Sequence, residues 1–414
     1  LADRVHAHGA RVALQLVHNG KNAVEDIIAA RPLLVPSMPE KPPATDPLMG
    51  MLTPDEIENM GTPAQVKGAK VTFQEMSQGD IARMVGCYAE AVARAKEAGI
   101  DACELHAGHG YLIDNFLSPT TNHREDEYGG SVEKRARFLV EVIEAIRARV
   151  GHDYPIWCRI NGGEALIDGE TLEDACRVAQ LCEEAGADAV HVSLYADPAR
   201  AIGYTEAHAT HTPGRMLPLA AEVKKHVGIP VISVGRLSPD AAEQAIASGE
   251  ADFVAMGRKL LADPELPNKL MSGESEAIRP CMYHYRCISQ IFVRSHVRCA
   301  VNAATGFEST RKLEPADRSL RVLVVGGGPA GMEAARLASL RGHRVELVEA
   351  AAKLGGRFRL AAATAEPNAE LLAWFEGEMA RREIAVRLET RLDAEQIARG
   401  DFDEVIVATG ARWD

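Results

Sequence analysis

The stretch ACELHAGHGY, residues 102–111, decides the fold of the first part of the chain. It begins as an apolar run typical of a buried strand and ends in small and polar residues. Similar short apolar runs occur at Val12–Val17, Ile156–Ile160, Ala189–Ser193, Val231–Gly235 and Phe253–Gly257. Amphipathic helical patterns lie between most of them. Near-continuous apolar strands that alternate with helices indicate a parallel sheet covered on both faces.

Chemically capable residues follow several of these strands, as in HAGHGY after the strand at 102–106 and RINGGE at 159–164. A β/α barrel carries its functional groups on the loops at the carboxyl ends of its strands. We therefore predict a (β/α)8 (TIM) barrel over residues 1–270, with a doubly wound open sheet as the alternative. Six strands are recognisable where a closed barrel of this class needs eight, so we expect a barrel that is incomplete at its N-terminus.

Composition and charge exclude several classes of protein. The chain has 414 residues, of which 46% are hydrophobic and 25% charged, which are ordinary globular values. Its 46 Lys and Arg against 59 Asp and Glu give a net charge of −13, which argues against a nucleic-acid or anionic-membrane surface. The sequence has no apolar run of the ~20 residues that a membrane span needs, and its N-terminus has no signal pattern. We therefore expect a cytoplasmic location. The oligomeric state stays open, with a homo-oligomer among the options.

A proline-rich segment at residues 32–75 interrupts the strand and helix repeat. Proline removes backbone donors and blocks helix interiors, so we predict a long loop with at most one short helix. A lid or binding loop and a passive surface excursion are both compatible with this pattern.

Residues 321–350, RVLVVGGGPAGMEAARLASLRGHRVELVEA, have the pattern of a strand, a glycine-rich turn, a helix and a second strand. The G-x-G-x-x-G spacing followed by an acidic residue is typical of dinucleotide binding, with a glycine-rich structural turn as the alternative. The residues predicted to bind the dinucleotide are Gly326, Gly328, Gly331 and Glu349. A second glycine turn, ATG at 408–410, is common in flavin-dinucleotide domains. We predict the N-terminal part of a Rossmann-like FAD- or NAD(P)-binding domain over residues 319–414.

Three motifs come in a defined order: QLVH at 15–18, then HAGHGY, then REDEYGGS at 124–131. This order resembles the Old Yellow Enzyme family of flavin oxidoreductases. A flavin mononucleotide (FMN) needs an amide at its pyrimidine edge, a cation near N1 and O2, and N–H groups with arginine for its phosphate. The residues that supply this set are Gln15, Arg159, Gly235, Arg236, Gly257 and Arg258.

The same resemblance implies that His106 and His109 bind the substrate oxygen and that Tyr111 is the proton donor. Two neutral or cationic imidazoles can hydrogen-bond a carbonyl and polarise it, and a tyrosine can protonate the carbon opposite the hydride. The pair His208 and His211 is a further candidate for an acid. A hydrogen-bonded structural role is the alternative for each histidine.

A cysteine-rich segment over residues 271–318 lies between the barrel and the dinucleotide domain. This domain order resembles the larger subfamily that contains 2,4-dienoyl-CoA reductase and trimethylamine dehydrogenase, which implies a 4Fe–4S cluster here. The implied ligands are Cys281, His284, Cys287 and Cys299. The sequence departs from the subfamily at His284, where a cysteine is expected. An iron–sulfur cluster, a zinc ion and an abandoned site all stay open.

The resemblance covers essentially the whole chain and implies an internal fragment of a longer protein. The first two barrel strands would precede Leu1, and a nicotinamide-binding domain would follow Asp414. The implied activity passes electrons from NAD(P)H through FAD and the cluster to FMN, and reduces the C=C bond of an α,β-unsaturated carbonyl or enoyl thioester. One alternative is an amine dehydrogenase acting on a small N-methyl amine, although such a cation would favour aromatic residues. A second alternative is a non-catalytic flavin or electron-carrier scaffold.

Overall fold

The fold is given by a computed structural model. It describes residues 1–39, 70–164, 168–195, 212–292 and 295–411. These residues form two compact units, Leu1–Met256 and Gly257–Asp414. Within the described part of the chain, no helix has both the length and the apolar composition needed to cross a membrane.

The division between the two units falls earlier than the boundary predicted after residue 270. The main-chain carbonyl of Leu261 accepts hydrogen bonds from the side chains of Asn302 at 3.0 Å and Thr305 at 2.8 Å. The segment that follows the last barrel strand is therefore tied to residues after it, which the apolar pattern of the strands could not reveal.

The first unit is built on a parallel sheet. Its described strands are β1 (Ala13–Leu16), β2 (Leu33–Val35), β3 (Phe73–Glu75), β4 (Ala102–Ala107), β5 (Ile156–Glu164), β6 (Ala189–Tyr195), β7 (Val231–Val234) and β8 (Phe253–Ala255). Strands β1, β4, β5, β6, β7 and β8 form one sheet in that order, and each neighbouring pair is parallel. Sequential parallel order is the arrangement of a β/α barrel, so the predicted class of sheet is confirmed.

Helices separate the strands of the first unit. They are α1 (Ala2–His6), α2 (Val24–Ile28), α3 (Gln78–Glu97), α4 (Leu112–Leu117), α5 (Val132–Val150), α6 (Leu172–Glu184), α7 (Leu217–Lys224) and α8 (Pro239–Ala247). Capping boxes begin two of the long helices, where the hydroxyls of Ser77 and Thr171 accept the N–H groups of Asp80 and Asp174. The apolar stripes of these helices join the buried faces of the strands in one core, and the carboxyl ends of the strands are left for the site.

The prediction of a long loop without strands over residues 32–75 is wrong at two places, Leu33–Val35 and Phe73–Glu75, which form strands. Strand β2 pairs in parallel with strand β3, with Leu33 opposite Phe73. Leu33 and Val35 are buried, so the backbone groups of this segment need partners inside the protein, and the second strand supplies them. Residues 40–69 lie outside the described ranges.

The second unit contains a four-stranded parallel sheet with the order β11-β10-β9-β12. Its strands are β9 (Arg321–Val325), β10 (Arg344–Val348), β11 (Ala385–Arg387) and β12 (Glu404–Val407). Its helices are α9 (Arg258–Ala262), α10 (Leu266–Met271), α11 (Arg286–Phe292), α12 (Pro329–Leu340), α13 (Phe358–Ala362), α14 (Glu366–Arg381) and α15 (Ala394–Arg399). The predicted strand, turn, helix and strand at 321–350 are present as β9, α12 and β10.

Candidate active site

The three predicted catalytic side chains lie together where strand β4 ends. The ring centroid of His106 is 4.8 Å from that of His109 and 4.8 Å from that of Tyr111, and both pairs meet edge to face. His106 is buried, whereas His109 and Tyr111 are partly exposed. The structure therefore brings together the residues that the motif predicted, and their catalytic roles stay predictions.

A left-handed turn presents these side chains. The backbone φ angles of His109 and Gly110 are 63° and 72°. The N–H of His109 donates to Oδ1 of Asn161 at 3.2 Å, and the N–H of Gly110 donates to Oδ2 of Asp114 at 2.6 Å. A Cβ atom on Gly110 would lie 2.3 Å from the hydroxyl oxygen of Tyr195. Only glycine meets both the positive φ and this close approach.

Replacement of Gly110 by alanine tests this turn. The left-handed φ costs an alanine about 1–2 kcal/mol, and the collision with Tyr195 should add a similar amount of destabilisation. Gly9→Ala is the matched control, because Gly9 has φ 75° and nothing within 4 Å of an added Cβ. Urea unfolding should show that Gly110→Ala lowers the free energy of unfolding by at least ~1 kcal/mol more than Gly9→Ala does. Equal losses would show that the turn is not constrained by Tyr195.

Two residues that hydrogen-bond this turn, Asp114 and Asn161, were not predicted from the sequence. Asp114 is 1% exposed and also accepts a hydrogen bond at 2.7 Å from Nδ2 of Asn161, which is 0% exposed. Burial, followed by the negative charge of Glu164, raises the pKa of Asp114 to about 8. Asn161 directly follows the predicted strand Ile156–Ile160, and this position after a strand could have marked it as a site residue. Nothing local marks Asp114, because it lies within the apolar helix α4.

Both imidazoles are neutral at pH 7. Burial, and then the positive charge of Arg159, lowers the pKa of His106 to about 4. The same two causes hold the pKa of His109 well below its usual 6.5. Arg159 on β5 is the register partner of His106 on β4, which explains its influence on the pair. Of the neutral and cationic states that the sequence left open, the structure selects the neutral one.

A buried carboxylate, Glu104, connects four strands beside the imidazole pair, which consists of His106 and His109. It accepts hydrogen bonds from Nε2 of Gln15 at 2.5 Å and from Nε1 of Trp157 at 2.7 Å, and Nδ1 of His191 lies 2.7 Å from it. Burial disfavours its charge, but hydrogen bonds from His191 and Trp157 and the charge of Arg159 lower the pKa of Glu104 to about 2. Gln15 thus donates its amide N–H to Glu104 and keeps its carbonyl oxygen as an acceptor.

The Glu104 network should stabilise the fold in a pH-dependent way. A carboxyl whose pKa falls on folding stabilises the protein above its unfolded pKa, and this contribution is lost as the pH falls towards the folded value. The drop from 4.5 to about 2 corresponds to about 3 kcal/mol near neutrality. The difference in unfolding free energy between the unchanged chain and Glu104→Gln should therefore shrink as the pH falls from about 5 to 3. Glu97→Gln, which changes an exposed carboxylate, should show little difference at either pH.

The predicted flavin residues of the first unit fit a polar ligand. Nδ1 of His106 is buried and makes no hydrogen bond with the residues that the structure describes. Gln15 offers its carbonyl oxygen, and Arg159 supplies a positive charge near the pair. Gly235 and Arg236 form a turn with φ angles of 114° and 54° directly after β7. A positive φ at an arginine is uncommon and is often found at ligand sites.

Gly257 and Arg258, also predicted for the FMN phosphate, belong to the second unit. Nothing lies within 4 Å of a Cβ built on Gly257. The guanidinium of Arg258 lies over the ring of Tyr283 at 5.1 Å and over that of Tyr285 at 5.5 Å. Stacked arginines keep their N–H edges in the plane of the guanidinium, so this placement is compatible with a phosphate ligand.

The glycine-rich turn of the second unit is tightly packed. A Cβ on Gly326 would lie 2.3 Å from the carbonyl oxygen of Ala408, and one on Gly331 would lie 1.8 Å from that of Gly326. Nothing lies within 4 Å of a Cβ built on Gly328, which precedes helix α12. Two glycines therefore serve packing, and the third leaves open the space at the helix N-terminus where a pyrophosphate can approach.

Glu349 holds the same turn. Its Oε2 accepts the N–H of Gly327 at 2.6 Å, and its Oε1 accepts the N–H of Ala351 at 2.8 Å. Each carboxylate oxygen has a further lone pair, so Glu349 can still accept a hydrogen bond from a ribose hydroxyl. The predicted dinucleotide residues thus fit the group assigned to them.

The predicted metal ligands are not assembled as a set. His284 is exposed, whereas Cys281 and Cys287 are buried. Across the described ranges, no three His, Cys, Asp or Glu residues are placed to hold a metal ion. Burial raises the pKa of Cys281, and the nearby thiols of Cys299 and Cys287 add to this effect, so the three cysteines are neighbours although they are not arranged as ligands. The predicted set of four ligands is therefore not formed in this conformation, and the cluster stays a prediction.

Comparison with known proteins gives two family matches. The NADH:flavin oxidoreductase / NADH oxidase family matches residues 1–276, and an NAD(P)-binding Rossmann-like domain matches residues 324–371. The latter match agrees with the predicted dinucleotide domain.

Individual relatives resemble this chain over nearly its whole length. An NADH oxidase of Thermoanaerobacter brockii is 38% identical over 99% of the chain and 60% of its own length. An N,N-dimethylglycine/sarcosine dehydrogenase of Chromohalobacter salexigens is 36% identical over 100% of the chain and 57% of its own length. A solved complex of 2-naphthoyl-CoA reductase with 2-naphthoyl-CoA has 32% identity and a TM-score of 0.85, covering 99% of this chain and 61% of that one. The likeness confirms the TIM-barrel fold. The chain spans about three fifths of the length of the curated relatives it matches.

Proposed function

Because this chain belongs to the NADH:flavin oxidoreductase / NADH oxidase family, we propose that it reduces the C=C bond of an α,β-unsaturated carbonyl or enoyl thioester. NAD(P)H is the proposed electron donor, and a small molecule is the proposed substrate. FMN in the barrel and FAD in the second unit are the proposed flavins.

The observation that carries this proposal is the positive charge of Arg159 beside the imidazole pair. After burial, Arg159 has the largest effect on the pKa of both His106 and His109, and the opposing effect of Glu104 on His106 is smaller. Reduction of an unsaturated carbonyl develops negative charge on its oxygen, which a fixed cation and hydrogen-bond donors stabilise. The same field disfavours a cationic amine.

Each site residue has a defined task in this proposal. The imidazole pair binds the substrate carbonyl oxygen, and Tyr111 donates the proton that the α-carbon receives. Gln15, Arg159, Gly235 and Arg236 would hold FMN in the first unit. The chemistry that a bound flavin supplies is hydride transfer to the β-carbon. Hydride and proton together give the saturated carbonyl product.

A second candidate function is oxidation of a small N-methyl amine. It is favoured by the 36% identity with an N,N-dimethylglycine/sarcosine dehydrogenase. In this direction hydride leaves the N-methyl carbon, and hydrolysis of the resulting iminium gives formaldehyde and the demethylated amine.

Anaerobic mixing of the flavin-loaded protein with two panels of compounds separates these functions. We expect enones and enoyl thioesters to reoxidise the reduced flavin. Bleaching of the oxidised flavin by N-methyl amines would instead support the dehydrogenase. A protein that responds to neither panel would be an electron-carrier scaffold, and both proposals would be wrong.

An iron–sulfur cluster is also proposed, on the resemblance alone, because the described side chains do not form its ligand set. The resemblance predicts one 4Fe–4S cluster per chain in protein purified without oxygen, measured as iron and acid-labile sulfide. Cys299→Ser should lose this iron because it removes a thiolate ligand, whereas Cys87→Ser, at an exposed cysteine of α3, should keep it. Zinc, or no metal in a folded protein, would contradict the cluster.

A further inference from the structure

Ser193, on strand β6, is a buried hydroxyl next to the imidazole pair that no motif indicated. It is 0% exposed, and its Oγ lies 3.2 Å from the carbonyl oxygen of Ile160 and 2.9 Å from Nε2 of His109. Ser193 is thus placed between a backbone carbonyl and a predicted catalytic ring.

The direction of these two hydrogen bonds follows from the donor capacity of a hydroxyl. A carbonyl oxygen can only accept, so both contacts of Ser193 are hydrogen bonds only when its single hydroxyl proton is donated to Ile160. The oxygen of Ser193 then has only lone pairs to offer His109. The contact at 2.9 Å is a hydrogen bond only if Nε2 of His109 carries the proton.

The other nitrogen of His109 is therefore an acceptor. Burial and the charge of Arg159 keep the pKa of His109 well below its usual value, so the ring carries one proton. With that proton on Nε2, the Nδ1 atom has a free lone pair. His106 is also neutral and keeps one N–H, so it remains a donor.

We propose that Ser193 is a positioning residue that holds His109 in its Nε2–H tautomer, so that the imidazole pair offers one acceptor and one donor. This assignment refines the proposed function, on which its consequence for substrates rests: His106 alone donates to the carbonyl oxygen, and Nδ1 of His109 accepts a neighbouring N–H or O–H of the substrate. A pair of donors would suit a bare ketone oxygen. A donor with an acceptor suits a substrate in which an N–H or O–H accompanies the carbonyl, such as an unsaturated carboxamide.

Histidine NMR on the flavin-loaded full chain, labelled with nitrogen-15, tests the tautomer directly. The signals of His109 are assigned by their loss in His109→Gln. We expect a protonated Nε2 and an unprotonated Nδ1 in the unchanged chain, and a mixture of both tautomers in Ser193→Ala. A protonated Nδ1 in the unchanged chain would overturn the inference.

Two further variants separate positioning from packing. Ser233 on β7 is also 0% exposed, and its Oγ makes no hydrogen bond with the described residues, so Ser233→Ala removes a buried hydroxyl without touching His109. The tautomer should be unchanged in Ser233→Ala and retained in Ser193→Thr, which keeps a hydroxyl. A mixture of tautomers in Ser233→Ala like that in Ser193→Ala would contradict a specific role for Ser193.

The consequence for substrates is measured with a matched pair of probes, cinnamamide and 4-phenyl-3-buten-2-one. Their affinities are compared by titration of the flavin absorbance. The preference for the amide over the ketone should fall about 3- to 10-fold in Ser193→Ala, the value of one neutral hydrogen bond. An unchanged preference would overturn the acceptor role of His109. The expected tautomer in a protein that reduces neither probe would support the assignment of Ser193 and contradict the proposed function.

Discussion

Replacement of Tyr111 by phenylalanine is expected to slow the oxidative half-reaction with an enone by ~10²–10⁴-fold, the usual contribution of a general acid. The ring of Tyr111 packs edge to face against His106, 4.8 Å between centroids, so the variant keeps the ring and loses only the hydroxyl group. Substrate binding and reduction of the flavin by the nicotinamide should change little. Stopped-flow measurement of the two half-reactions separates these effects.

The control for Tyr111→Phe is Tyr128→Phe. Tyr128 is a buried tyrosine of the same unit whose hydroxyl donates to Glu141, and it makes no contact with the imidazole pair among the described residues. Tyr128→Phe should leave both half-reactions unchanged. An oxidative half-reaction that is as fast in Tyr111→Phe as in the unchanged protein would assign the proton to another donor. His208 and His211, considered for that role from the sequence, lie outside the described residues.

Replacement of Gly331 by alanine is expected to abolish the proposed binding of FAD in the second unit. The added Cβ would lie 1.8 Å from the carbonyl oxygen of Gly326, so the glycine-rich turn must open. Forced overpacking of this kind costs about 1–3 kcal/mol or more. The FAD content of the purified protein and its thermal unfolding should both fall.

Two matched variants separate collision, ligand contact and backbone strain. Gly328→Ala adds a Cβ into open space, so the fold should persist while FAD binding weakens by ~10–100-fold, the value of one charge-assisted hydrogen bond. Gly342→Ala, at φ 89° with nothing within 4 Å, should lower stability by about 1–2 kcal/mol and leave FAD binding unchanged. Full FAD content in both Gly328→Ala and Gly331→Ala would refute the assignment of this turn.

Much of the fold was predictable because its signals are local. The apolar period of each strand, the capping residues before the long helices and the spacing of Gly326, Gly328 and Gly331 all act within a few residues. The predicted helix at Pro239–Ala247 has the same bounds in the structure. The pairing of Leu33 with Phe73 was not predictable, because its partners lie on either side of a long proline-rich segment.

The sequence by itself determined the barrel class, the dinucleotide turn and the grouping of His106, His109 and Tyr111, which one short motif carries. Only the tertiary structure decided the chemistry of that group. Burial, and then the positive charge of Arg159, keeps the imidazoles neutral, and the proposed tautomer of His109 depends on Ser193, which is 84 residues away in the chain. The physical reason is the register of parallel strands. It sets which side chains face each other across the sheet, and it depends on the packing of the whole unit rather than on any local pattern.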